Sequence, residues 1–374
     1  MSLMNLPAVF ARQPWIVLIP LFALVGLGGA VLYSAAGGSL HPYAQSHVLR
    51  FGLFLVMAFV ISMFSRNFFR IMAYPTYALI LMLLVLVELV GAVGIGVGSG
   101  SQRWLDLGFM TLQPSELMKP GIVLVLAKFY ETLPAPLTRS WRGLVPACIL
   151  IGIPAVFVLI QPDLGTALAI CFGGVVIMFL AGLPISWFLG ATVPLIAIVP
   201  AAFFFVLHDY QRKRVLTLFD PEADPQGDGY HIIQSKIAIG SGGVFGKGFG
   251  NGSQSHLQYL PEAHTDFVFA TMAEEWGMVG GLFVIAVFAI ILGWGLRVAA
   301  KAPDRFSSLL AAGMSTTIFF YVAINLMMVM GMAPVVGIPL PWMSHGGTSM
   351  LTNMICLGVL LAVNRWNRGP SSFT

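Results

Sequence analysis

Charge is what this chain has least of. Lys, Arg, Asp and Glu together make up 9% of its 374 residues, too few to cover a soluble globule of that length, and a water-soluble enzyme is excluded at the outset. Cysteine is scarcer still. Cys148, Cys171 and Cys356 lie singly inside apolar runs, with no CxxC or Cys/His spacing, which excludes a disulfide framework and a zinc site and leaves packing as their role. No block of like charge occurs either. The net charge of +4 comes from cations scattered over the ends of apolar runs, a pattern that argues against a nucleic-acid partner and for cations retained on one side of a membrane.

What the chain does have is hydrocarbon: 58% hydrophobic residues and a mean hydropathy of +0.89. Apolar runs of roughly 20 residues, the length that crosses a bilayer as a helix, recur at 14–35, 46–65, 72–95, 114–131, 144–161, 163–182, 187–207, 267–296, 307–331 and 349–364. They predict an all-α polytopic integral membrane protein, a ten-span bundle forming one membrane domain over 1–374. The second run is the weakest, because it begins beside Arg50. The first is too long for the apolar core of a secretory signal and is read as a retained span. With the N-terminus in the cytoplasm, the short inside segments hold Arg12, Arg66, Arg70, Arg139, Arg142, Arg297, Lys301, Arg305, Arg365 and Arg368, against Arg50 and Arg103 outside. That bias sets the orientation, and an even number of spans brings the C-terminus back to the cytoplasm. The one large connection, 208–265, is then extracytoplasmic. Its apolar content, punctuated by Gly and Pro, predicts an ordered segment lying on the membrane.

Polar side chains gather at a few places only. The richest is Asn251 to Gly277, where acids, histidines and a proline precede a long apolar helix. Asp266 is expected in the first turn of that helix, where the dipole favours an ionised carboxylate ready to act as a base, or merely as a cap with Thr265 as the N-cap residue. An acid at the junction of lipid and water costs free energy unless it is paired or used, which favours function. Glu274 is eight residues on, displaced by ~12 Å of helical rise, too far to form a paired-carboxylate dyad with Asp266. Glu274 and Glu275 are therefore read as inward-facing partners for other groups. Glu116 and Lys119, at i and i+3, face the same way and can pair, as a structural lock or in a polar cavity. Arg103 and Trp104 stand in the outer loop before them and suit either the membrane interface or a sugar face. The glycine-rich run Ile239 to Ser255 is no Walker A loop, since Gly248 follows Lys247 where Ser or Thr is required. Its backbone amides could still cradle a pyrophosphate, with Lys247 as counter-charge. Prolines 334, 339 and 341 predict an irregular loop at membrane depth, with Ser344 and His345 near a cavity. Gln113-Pro114 and Gln161-Pro162 open two helices in the same way, a weak internal echo.

Several of these stretches together resemble the SEDS family (shape, elongation, division and sporulation proteins), and its RodA branch more than its FtsW branch. The resemblance runs over nearly the whole chain, through LYSAAGG (Leu32 to Gly38), QPSELMKP (Gln113 to Pro120), QPDLGTAL (Gln161 to Leu168), QSKIAIGSGGVFGKG (Gln234 to Gly248), LPEAHTDFVFATMAEEWG (Leu260 to Gly277) and GMAPVVGIPLPWMSHGG (Gly331 to Gly347). It implies a ten-span fold with a large outer loop between spans seven and eight. It implies a glycosyltransferase of the bacterial cytoplasmic (inner) membrane that polymerises lipid II into peptidoglycan, in complex with a class B penicillin-binding protein and dependent on a divalent cation, Mg²⁺ or Mn²⁺. Asp266 corresponds to the essential acid of that family, and Trp104, Glu116 and Lys119 to residues that matter to it. SHGGTS, Ser344 to Ser349, departs from the pattern: relatives often have tyrosine in place of His345 and serine in place of Thr348.

Polymerisation requires a base at a sugar hydroxyl and positive charge at a departing pyrophosphate. Asp266 suits the first task, or ligation of the metal; Arg103, Lys119, Lys247, the Arg212-Lys213-Arg214 cluster or the metal suits the second. Two other classes compete: a lipid II flippase, which Glu88 and the Gln-Pro echo keep open, and a non-catalytic scaffold for a partner synthase.

Overall fold

The computed structural model describes residues 13–92, 104–106, 111–205, 209–224, 227–257, 259–260 and 262–368; Arg12 and Arg103 lie outside them. Three helices come first: α1, Trp15–Ala35, α2, Tyr43–Met63, and α3, Arg66–Ala92. Leu105–Asp106 pairs antiparallel with Thr111–Leu112 in a two-residue ladder, which delivers the chain to α4, Pro114–Thr132. Next come α5, Trp141–Ile160, α6, Leu164–Leu180, and α7, Ile185–Phe205. The large connection then holds α8, Asp209–Phe219, and α9, Asp228–Gly242. Last are α10, Val268–Ala300, α11, Arg305–Val329, and α12, Gly347–Trp366.

Each expected span coincides with one of these helices. Seven of them (α1, α2, α3, α5, α10, α11 and α12) are by themselves long and apolar enough to cross a bilayer. Helix α4 is too charged at its ends to be picked out by apolarity, with Glu116 and Lys119 in its early turns and Lys128 and Glu131 in its last. Several boundaries differ from expectation: α2 begins at Tyr43, α3 at Arg66 and α5 at Trp141, and α10 runs on to Ala300. Helices continue past the hydrocarbon wherever polar side chains find partners, and an apolar-run criterion misses those turns. The described residues of the large connection are in good part helical.

Helix α4 is the axis of the bundle. Met118 and every residue from Ile122 to Ala127 are buried, because α3, α5, α6, α11 and α12 surround it. Packing between helices relies on small residues, which let backbones approach where lipid supplies no hydrophobic drive. A Cβ on Gly358 of α12 would meet the Ala58 carbonyl of α2 at 2.9 Å. Cations close the end that the charge bias assigns to the cytoplasm. Arg66 pairs with Asp304 at 2.7 Å and Arg70 with Glu131 at 2.5 Å. Arg305 donates to the carbonyls of Leu133 and Ala181 and to the Thr138 hydroxyl, and Arg365 donates to the Phe64 carbonyl.

At the opposite end α10 is broken. Gly277 has φ +66° and ψ −163°, so the helical ladder lapses between Glu274 and Val279. The glycine-rich segment after α9 repairs it. The amides of Lys247 and Gly248 donate to the carbonyls of Glu274 and Glu275, both at 3.0 Å, while the amides of Met278 and Val279 donate to the carbonyls of Gly243 and Val244 at 2.9 and 3.1 Å. An unmet backbone group away from water costs several kcal/mol, so these four bonds tie the outer segment to α10. The approach needs glycine on both sides: a Cβ at Gly277 would collide with the Gly246 amide, and one at Gly246 with the Glu275 carbonyl. Gly277→Ala is expected to lower the thermal midpoint of the detergent-solubilised protein clearly more than Gly190→Ala, at a position with open space around it; equal midpoints would show that the break does not need this contact.

Candidate functional site

Asp266 lies in a tight turn just before α10. The amides of Thr265 and Phe267 both donate to the Glu262 carbonyl, at 3.0 and 3.3 Å, and Phe267 is the N-cap residue. This corrects the expected local geometry. Asp266 precedes the first helical turn, and Thr265 caps nothing: its hydroxyl donates to the Glu262 carboxylate at 2.8 Å.

Two elements from the far end of the chain fix Asp266. Asn325 of α11, wholly buried, donates from its one amide nitrogen to the carbonyls of Asp266 and Ile338, each at 2.8 Å. Gly337, at φ +69°, lies so close that a Cβ there would sit 3.5 Å from Asp266 Oδ2. The carboxyl group is thus pressed against an irregular loop, with a fringe left to solvent. Burial, with Glu262 adding to it and Arg214 of α8 opposing both, raises its pKa from 3.8 to about 7. A carboxylate with such a value holds and releases a proton near neutrality.

Beside it opens a cleft lined by Asp163 and Gly165 at the start of α6, Gln211 and Arg214 of α8, and Val335 and Val336 of the loop. The two Gln-Pro openings meet at its edge: Gln113 Nε2 donates to Asp163 Oδ2 at 3.0 Å, and Asp163 caps α6 through the Thr166 amide at 3.0 Å. Deeper in the bundle Lys119 pairs with Glu116 at 2.6 Å. Tyr321 of α11 closes the pair, donating to Glu116 and accepting from Lys119 Nζ at 2.8 Å. Tyr321 is one helical turn from Asn325, and α11 therefore joins this pair to the Asp266 turn.

The remaining expected site residues are placed elsewhere. Trp104 is 43% exposed, just ahead of the two-residue ladder. Ser344, buried, accepts from the Leu340 amide at 2.9 Å within its own loop. Lys247 pairs with Glu274 at 2.5 Å and donates to the Ser253 hydroxyl at 2.8 Å. Glu274, fully buried, also accepts from the amides of Ser253 and Gln254, at 3.0 and 3.2 Å. Lys247 is thus held in the clasp on α10, with its backbone amide committed to the helix break.

A second polar cluster, whose members the sequence did not bring together, lies beside the Asp266 turn. His345 donates from its amide to the His264 carbonyl at 2.9 Å. Its ring contacts Arg50 at 3.4 Å and Ser46 at 3.5 Å, and Tyr43 stacks on His264 with ring centroids 4.1 Å apart. Burial lowers the pKa of both imidazoles, and Arg50 lowers that of His345 further. The signal available in the sequence was Arg50 itself, a cation among apolar residues at the outer end of a span.

Among the described residues no three His, Cys, Asp or Glu side chains converge as a metal site would require. One carboxylate at an open cleft, with Glu262 near, fits a cation that takes most of its ligands from water and phosphate, as Mg²⁺ does.

Known proteins share both the sequence and the architecture of this chain. The family of cell cycle proteins FtsW, RodA and SpoVE matches residues 13–369. The peptidoglycan glycosyltransferase MrdB of Escherichia coli K12 is 41% identical over 349 residues, 93% of this chain and 92% of its own. Stage V sporulation protein E of Bacillus subtilis is 36% identical over 326 residues, 87% of this chain and 88% of its own. Among solved structures, a chain from a peptidoglycan synthase complex that coordinates polymerization and crosslinking superposes with a TM-score of 0.82 at 34% identity, covering 96% of this chain and 99% of that one. The rod shape determining protein RodA of Thermus thermophilus superposes with a TM-score of 0.70 at 31% identity, covering 95% of this chain and 97% of that one.

Two outcomes follow from the geometry. With the Asp266 pKa raised from 3.8 to about 7, the folded chain in that interval holds a proton that the unfolded chain has released, so the group's contribution to stability falls as pH rises from about 4 to about 7. Asp266→Asn should accordingly have the higher thermal midpoint at about pH 8, with the advantage shrinking towards about pH 4; a pH-independent difference would count against the buried carboxyl. Lys247→Met strips a buried carboxylate of its counter-charge, a change that costs about 3–5 kcal/mol for a buried pair and less where one partner keeps solvent contact, as Lys247 does. It should lower the thermal midpoint while leaving the affinity for a phosphate-bearing substrate unaltered.

Proposed function

Because the chain belongs to the SEDS family of cell cycle proteins, we infer that it is a peptidoglycan glycosyltransferase, polymerising lipid II into glycan strands during cell elongation and the maintenance of cell shape. The observation that carries the assignment is Asp266: a single acid with a pKa of about 7, in a turn at the end of the bundle away from the cationic end-cap, with Arg214 at its side. The names of the relatives support it, and the RodA-like role in elongation is favoured by 41% identity to MrdB against 33% to a FtsW of Trichlorobacter lovleyi.

In this reading the 4-hydroxyl of one lipid-linked saccharide attacks the anomeric carbon of another. A carbon–oxygen bond to the sugar forms, the bond to undecaprenyl pyrophosphate breaks, and the hydroxyl proton passes to Asp266. With a pKa near 7 the carboxylate is basic enough to take that proton as the bond forms and is about half ionised at neutral pH. Pyrophosphate departs as a stable anion and needs no general acid, so one carboxylate suffices where glycoside hydrolysis needs two. Arg214 is placed to stabilise the leaving charge. In the alternative reading Asp266 would instead hold a divalent cation, Mg²⁺ or Mn²⁺, with substrate phosphates supplying its other ligands, and the cation would neutralise the same charge. The cleft opens at the end that the charge bias puts outside the bacterial inner membrane, where lipid II is presented. A class B penicillin-binding protein is the proposed partner, supported by the likeness to a chain of a peptidoglycan synthase complex. A flippase would need its ionisable residues free to exchange partners at depth, whereas Glu116 and Lys119 neutralise one another under Tyr321.

Purified protein with its partner and Mg²⁺ should convert lipid II to polymer, and Asp266→Asn should reduce the rate by about 100-fold or more. The wild-type rate should climb with pH to a plateau above about 7. Equal polymer from both proteins would remove Asp266 from the mechanism, and no polymer from the wild type would favour the transport or scaffold readings.

A further inference from the structure

The polymerisation joins two lipid-linked saccharides, and each carries a pyrophosphate. One leaves; the other stays on the acceptor and must be held while its distal sugar is placed at the base. The leaving pyrophosphate adjoins the anomeric carbon and so lies near Asp266. The acceptor's is a disaccharide away from the reacting hydroxyl. Two anion-binding positions at unequal distances from one carboxylate are therefore required.

Two cations stand near the Asp266 turn. Arg214 is the near one, close enough to act on the Asp266 carboxyl. Arg50 is the far one, separated from Asp266 by His345 and His264. It lies two turns inside α2 and is half-buried. Its polar partner among the described residues is an imidazole, His345 Nε2 at 3.4 Å, and no carboxylate neutralises it. A half-buried guanidinium without a counter-charge loses solvation with nothing in return, and such groups are characteristically completed by an anion. The surroundings suit one. A Cβ on Gly347, the first residue of α12, would sit 3.6 Å from the guanidinium, and that helix starts with no side-chain cap. One turn below Arg50, His47 is 1% exposed, its ring beside the backbone of Ser344 and Trp342. Glu262, 3.9 Å from His264, is more than half exposed.

We propose that Arg50, with His345 beside it, is a phosphate subsite distinct from the Arg214 side and holds the pyrophosphate of the acceptor lipid. The proposal rests on the glycosyltransferase reading for the identity of the ligand, but the subsite itself is testable without turnover. The same chemistry could be met by the headgroup of an anionic phospholipid, and the experiment separates the two sources.

Undecaprenyl pyrophosphate is titrated into the Asp266→Asn protein, with and without Arg50→Gln, in nanodiscs of phosphatidylcholine and in nanodiscs containing phosphatidylglycerol; the thermal midpoint is followed. The subsite predicts stabilisation by the ligand that Arg50→Gln weakens at least about 10-fold in apparent affinity in both membranes and that Arg50→Lys largely restores. Stabilisation by phosphatidylglycerol alone, lost in Arg50→Gln while undecaprenyl pyrophosphate has no effect, would hand the site to the membrane lipid and overturn the acceptor assignment. Unchanged affinity in Arg50→Gln would overturn the subsite altogether. In the polymerisation assay Arg50→Gln should raise KM for lipid II about 10-fold with a smaller effect on kcat, whereas Arg214→Gln should act chiefly on kcat. If the wild type makes no polymer, the function fails, and the titration still decides the subsite.

Discussion

Inside a bilayer no water is at hand to take up a polar group that the protein leaves unpaired, and the arrangement of this molecule follows from that constraint. The break in α10 is its clearest expression. Gly277 interrupts the ladder, the freed carbonyls and amides require partners, and the only chain able to come close enough is one built from glycine. Gly243 to Gly248 is therefore drawn against α10, and with it the whole outer segment. Lys247 and the amides around Ser253 then converge on Glu274. A buried carboxylate becomes tolerable only because the same loop that mends the helix also solvates the acid.

The same demand explains why α11 joins remote parts of the site. Tyr321 and Asn325 stand one turn apart on a helix whose other residues are largely apolar. The first completes the Glu116–Lys119 pair, which without a third group would leave oxygen and nitrogen valences open in hydrocarbon. The second takes up two carbonyls that no regular element can serve, those of Asp266 and Ile338. Polar residues on α11 are needed where irregular backbone passes, and the position of the Asp266 turn is thereby keyed to the centre of the bundle. Replacing either by an apolar residue would unfasten the acid without touching it.

How much of this the sequence disclosed divides along physical lines. Spans are set by local composition, so all ten could be found from apolar runs, with errors of a few residues where helices such as α2, α3, α5 and α10 extend into polar turns. Asp266 was conspicuous because an acid beside a long apolar run is costly. Its true setting, a turn ahead of α10 with Thr265 bonded to Glu262, depends on Asn325 and Gly337, some 60 and 70 residues downstream by sequence number. The glycine-rich run posed the harder problem. Glycine amides bind phosphate and broken helices equally well, and composition does not say which will be near. Arg50 and His345 were each noted but not joined, for the related reason that each is ordinary alone, the one an interfacial arginine and the other a loop histidine.

The environment of Asp266 also accounts for the economy of the site. A carboxylate fully exposed beside two cations would be too weak a base to accept a sugar proton near neutrality. A fully buried one would stay protonated. Desolvation and Glu262 push one way and Arg214 the other, and the balance falls near neutral pH. That balance also constrains where further positive charge can lie. A second cation as close as Arg214 would drag the pKa down and disable the base, so any additional anion-binding group has to stand off from the carboxylate. Arg50 does so, screened by two imidazoles that burial keeps neutral. Neutral histidines between a base and a distant cation allow charge to be recognised at one end of a substrate without altering proton transfer at the other.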